Sequence, residues 1–128
     1  MKSFANQPRR LRIFHLVEGN YHLEHGRGST AVQHFEALVQ LSANEPSALA
    51  QLGAAYVKSG RYQDAVQCLI KVLTFFLKTN NVHQRNLVVE GLATSYFQLS
   101  DTANMNNVLT AAGRSPEEID DFVTRLKH

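Results

Sequence analysis

Residues 52–56 read Leu52-Gly53-Ala54-Ala55-Tyr56, and Gly60-Arg61-Tyr62, Ala65 and Leu69 follow at short intervals. Gly53 stands inside an apolar run with helical spacing, where glycine costs about 1 kcal/mol relative to alanine. A glycine kept at that cost marks close approach by a neighbouring helix. Gly60 suits the left-handed residue that ends a helix, a conformation glycine adopts without steric penalty. Shifting the chain by 34 residues superposes Gly19 on Gly53, Gly26 on Gly60, Ala31 on Ala65, Phe35 on Leu69 and Leu38 on Val72. Self-similarity at one fixed period is the signature of stacked helical units.

On either side of this stretch the periodicity predicts further helices. The first runs over about 10–25, the second over 29–41, the third over 46–59 and the fourth over 62–77. The fifth spans about 82–99, the sixth 102–112 and the last 115–127. Val32, Phe35, Leu38 and Val39 make one apolar stripe at spacings of three and four. Pro46 fits only the first turn of a helix, where its missing N–H is not needed. Asparagines at 104, 106 and 107 weaken the sixth helix, because they compete for backbone hydrogen bonds. The last has the clearest start: Ser115 as N-cap, Pro116 as first residue and Glu118 as the reciprocal partner. Ile119, Phe122, Val123 and Leu126 give it a single apolar face.

Composition narrows the function classes. The chain has 128 residues, 44% hydrophobic and 19% charged, which suits one folded domain and excludes the disordered class. A net charge of +2 gives no broad footprint for nucleic acid. Lys2, Arg9, Arg10 and Arg12 crowd the start and read as a solvated, flexible arm over residues 1–9 leading into the first helix. That start has no apolar core of a secretory signal, and no run of about 18 apolar residues follows, so no membrane insertion is expected and the cytoplasm is the default compartment. The single cysteine, Cys68, reads as a small packed hydrophobe.

Residues 46–79 resemble a tetratricopeptide repeat, a helix–turn–helix unit of 34 residues with Leu-Gly, Tyr, Gly, Ala and a large apolar residue at these offsets. Residues 12–45 resemble it at Gly19, Ala31 and Phe35, with His15 and His22 at sites where the family favours other packing residues. A third, weaker copy over about 86–113 carries Leu92-Ala93, Tyr96, Met105 and Leu109. Ala93 lies 40 residues beyond Gly53, so about six residues are inserted near 75–84, as a longer fourth helix or a longer turn. The resemblance implies an all-α, right-handed superhelix of about three helix pairs, closed by a capping helix over 115–127. It assigns Gly19, Gly53, Ala31, Ala65, Tyr56, Phe35 and Leu69 to contacts within and between repeats.

In this family the first helix of each pair lines the concave face. Carried over position by position, that face comprises Ile13, Leu16, Asn20 and Leu23, then Ser47, Ala50, Ala54 and Val57, then Leu87, Glu90, Thr94 and Phe97. Leu16 stands where the clamp for acidic chaperone tails has a lysine, so that ligand is not expected. A mostly apolar groove suits an amphipathic helix or an extended apolar segment of a protein partner. The implied function is an adaptor or a dedicated chaperone, with no catalysis and no cofactor. Gly113-Arg114-Ser115-Pro116 and Phe122 also look similar to the end of small type III secretion chaperones. A homo-oligomeric scaffold is the alternative, favoured if Leu11, Phe14 and Val17 are exposed. His15, His22 and His25 share one helix with Glu18 and Glu24, but His15 and His22 fall at repeat-contact sites, so no metal is expected. No Ser/His/Asp set, P-loop or paired catalytic carboxylates can be placed.

Overall fold

The computed structural model describes residues 7–43 and 45–128. Among these, seven helices and no strand occur: α1 (Gln7–Glu24), α2 (Gly28–Leu41), α3 (Pro46–Lys58), α4 (Tyr62–Leu77), α5 (Val82–Gln98), α6 (Thr102–Ala111) and α7 (Pro116–Lys127). From α1 to α6 each packs on the next through short turns, and α3 also lies along α5. Of the arm expected over residues 1–9, positions 1–6 lie outside the described residues. Gln7, Pro8 and Arg9 already belong to α1, with Pro8 in the first turn, where a proline is tolerated.

The same turn ends four of the helices. The N–H groups of Arg27, Arg61 and Asp101 donate to the carbonyls of His22, Tyr56 and Tyr96, each at 2.8 Å, and Arg114 N–H donates to Leu109 O at 3.0 Å. One residue before each donor the backbone is left-handed: φ is +74° at Gly26, +79° at Gly60, +63° at Ser100 and +83° at Gly113. The chain reverses there, which lays the second helix of each pair back on the first. The next helices start on side-chain caps where the turn contains one. Asn81 accepts from the Gln84 N–H at 3.0 Å, and Asp101 from the Asn104 N–H at 3.2 Å. The second cap, together with an Asn104 side-chain bond to Asp101 at 2.7 Å, starts α6 despite its asparagines. Ser115 and Glu118 form the reciprocal pair at α7, and the Ser115 N–H holds the Glu118 carboxyl below its usual range.

Within the pairs, glycine meets a large side chain. A methyl group at Gly19 would stand 2.8 Å from the Phe35 ring, and one at Gly53 would overlap the Leu69 side chain. Phe35, Leu69, Ala31 and Ala65 are fully buried, and Tyr56 nearly so. Tyr56 Oη donates to Glu36 Oε2 at 2.8 Å, which ties α3 to α2; burial first, and this bond second, raise the phenol's pKa.

The inserted residues go into helix rather than turn. α4 has 16 residues where α2 has 14, and α5 has 17 where α3 has 13. The extra residues of α5 all precede Gly91, because Asn81 caps the helix early. The interior forms two clusters. One centres on Phe35, Leu38, Leu52 and Tyr56; the other on Leu69, Phe76, Val88, Leu92 and Leu109. Leu49 and Val57 touch both, and Phe122 of α7 closes the second.

Two outcomes follow from this arrangement. Gly60→Ala has free space for its methyl group and should cost only the left-handed backbone strain, about 1 kcal/mol, whereas Gly53→Ala should cost about 1–3 kcal/mol by overpacking. Urea unfolding of both variants checks the order. Cys68 is 6% exposed, bonds through Sγ to Leu49 O at 3.1 Å, and has its thiol pushed up to about 11 by burial. At pH 8 the thiolate is then roughly a thousandth of the total, so a colorimetric disulfide reagent should react orders of magnitude more slowly with the native chain than with the unfolded one.

Candidate functional site

Eight of the twelve positions expected to line one concave face fall into two hollows. The larger, about 370 Å³, runs between α3 and α5. Its walls are Ala54 and Val57 from α3 and Leu87, Gly91 and Thr94 from α5, with Lys58, His83, Asn86 and Glu90 among them. The helix extension matters here, because His83 stands in the added first turn of α5. Gly91, which no repeat position had marked, brings α5 close: a methyl group there would lie 3.0 Å from Leu69.

Glu90, the carboxylate expected in the groove, has a partner that repeat spacing could not indicate. Arg114, in the turn before α7, places one guanidinium nitrogen 3.2 Å from Glu90 Oε2 and 3.2 Å from Asn86 Oδ1. The charge of this wall is therefore met within the chain. Arg114 is the more enclosed of the pair, its side chain 17% exposed against 39% for Glu90. The contact comes from a residue 24 positions away, in the turn that ends α6.

The second hollow, about 250 Å³, lies between α1 and α3. Ile13 and Leu16 face Ser47, Ala48 and Gln51 across it, with Arg12 and Glu45 at its polar edge. The remaining four expected positions go elsewhere. Asn20 is exposed on α1. Leu23 is half-buried against the first interior cluster, and Phe97 against the second. Ala50 is 1% exposed and shares the second cluster with Val88 and Val89, so it is an interior residue and not a groove residue. The reason is that α5 lies directly against α3 at that level.

α1 leaves more large apolar side chains exposed than any other helix among the described residues. Leu11, Ile13, Phe14, Val17 and Tyr21 are between 44% and 58% exposed. His15 and His22 are half-buried toward α2. Burial first, and the nearby His34 second, lower the His15 pKa. Among the described residues no helix is long and apolar enough to cross a membrane.

Comparison with known proteins agrees with the internal period. The sequence profile of the tetratricopeptide repeat family matches residues 22–84, from the last turn of α1 to the first turn of α5. No curated protein and no solved structure matches the chain significantly. Helix pairs repeat at 34 residues, glycine is set against Phe35 and Leu69 within them, and that profile spans the central pairs, so residues 22–84 are identified with the tetratricopeptide-repeat family.

Proposed function

We propose that this protein binds an amphipathic helix or an extended apolar segment of a partner protein in the α3–α5 groove, as an adaptor or dedicated chaperone without catalytic activity. Tetratricopeptide repeats generally mediate contacts between proteins. The observation that carries the reading is the groove itself. Ala54, Val57, Leu87 and Gly91 offer small and apolar walls, and its one carboxylate is already engaged by Arg114. A partner then desolvates no unpaired carboxylate, and affinity comes from burial at about 25 cal/mol per Å² before ordering costs. The narrower reading, a chaperone of the type III secretion kind, rests on the Gly113–Pro116 turn and on α7 with its buried Phe122.

The test is capture of partners by wild-type protein, Ala54→Glu and Ile70→Glu. Ile70 is exposed on α4, outside the groove. Ala54→Glu should lose a partner that Ile70→Glu keeps, with affinity at least tenfold weaker, roughly 1.4 kcal/mol. Equal capture by both variants means the groove is the wrong face.

A second reading has its own observation. The exposed apolar side chains of α1, including Leu11, Phe14 and Val17, are what a self-associating scaffold would bury between copies. Sedimentation over a hundredfold concentration range should then show mass rising with concentration in the wild type and not in Val17→Glu. A constant monomer mass removes the scaffold.

A further inference from the structure

The first helix pair carries a side-chain set that the second does not. At the 34-residue shift, His15, Glu18, His22 and His34 correspond to Leu49, Leu52, Tyr56 and Cys68. In the second pair these are ordinary interior contacts: Leu52, Tyr56 and Cys68 are at most 8% exposed and share one apolar cluster, with Leu49 against it. In the first pair each is an imidazole or a carboxylate. Helix packing that needs apolar contact at four sites instead receives four metal-ligating groups at the same sites.

The fold brings these groups together. α1 contributes His15, Glu18 and His22 at spacings of three and four, hence on one face, and α2 contributes His34. One potential ligand atom from each of Glu18, His22 and His34 lies within 4.8 Å of the other two. His22 Nε2 is 3.7 Å from Glu18 Oε1. The rings of His22 and His34 are parallel to within 7°, with centroids 5.6 Å apart. Ligands about 2.0–2.2 Å from a tetrahedral ion stand roughly 3.4 Å from one another, so small side-chain rotations close the set. His15 Nδ1 lies 2.9 Å from His34 Nδ1. With Nδ1 so engaged, His34 has Nε2 free, and a proton donated from His34 to His15 holds it in the ligating tautomer.

We propose that Glu18, His22 and His34 bind one divalent transition-metal ion of the zinc class, positioned by His15, and that the ion clamps α1 onto α2. Two imidazoles and one carboxylate are a donor set that zinc accepts, with a fourth position left for water. Arg27 competes in the metal-free state, since its Nε donates to His22 Nδ1 at 2.8 Å. A metal on His22 Nε2 puts the imidazole proton on Nδ1, so loading displaces this donor. The guanidinium has a place to stay: it already stands 5.4 Å from the Tyr21 ring centre, much as Arg61 stands 4.7 Å from Tyr56 in the second pair.

The test uses the full, untagged chain. Zn²⁺ is titrated by calorimetry, Co²⁺ by its visible absorption, and the melting temperature is followed with and without Zn²⁺. The wild type should bind one ion and melt higher with zinc. Glu18→Leu and His22→Tyr install the second pair's own residues, keep the helical spectrum, and should lose the site. His34→Gln should lose it too, and His15→Gln should weaken binding roughly 10–100-fold. Arg27→Gln removes the competing donor and should bind at least as well as wild type, and His83→Gln on α5 should bind unchanged. No 1:1 binding by the wild type, unchanged binding in folded His22→Tyr, or equal loss in Arg27→Gln or His83→Gln overturns the site.

Discussion

The contact of a glycine with a large side chain inside each helix pair sets the rest of the structure. Phe35 fills the space that a side chain at Gly19 would take, and Leu69 does the same at Gly53. Interiors pack near crystalline density, so a helix held this close has one register. Leu69 is also met by Gly91, so the same leucine spaces α3, α4 and α5. The left-handed turns then decide where each chain reversal falls. Ser100 shows how firmly that geometry is required, because it takes a positive φ without being glycine and still supports the Asp101 to Tyr96 bond.

Departure from strict repetition shapes the groove. Lengthening α5 at its start places His83 beside Ala54 and Lys58, where an ideal copy would begin later. The C-terminal turn contributes across the stack, through Arg114 on Glu90. The α3–α5 hollow is thus made by the second pair, by the extension of the third, and by one side chain from beyond it. The α1–α3 hollow has no such reinforcement and stays polar at its edge.

The two best-matched copies are chemically unlike. Where the second pair closes on Leu52, Tyr56 and Cys68, the first closes on Glu18, His22 and His34, beside a helix whose outer side exposes Phe14 and Val17. Polar groups at half-buried sites cost stability unless they find partners. Here they find one another, through the His15–His34 bond and the stacked His22 and His34 rings.

Helix positions, the glycine contacts and the pairing of helices were legible in the chain, because period, caps and small residues act over a few neighbours. The 34-residue spacing also carried a trace of the histidine set. His15 and His22 stood out on one helix, but His34 was missed, although the same shift that pairs Gly19 with Gly53 pairs it with Cys68. Periodicity on one helix says nothing about which face of the next helix meets it. The extension of α5 is local as well, because Asn81 captures the Gln84 N–H three residues on. Two placements depended on tertiary structure. Ala50 went to the interior and Glu90 to Arg114, because α5 and the α7 turn arrive there from far along the chain. Local chemistry specifies elements and their contacts with sequence neighbours. Which side chains share a hollow is settled by docking between distant segments, and no short-range pattern encodes that.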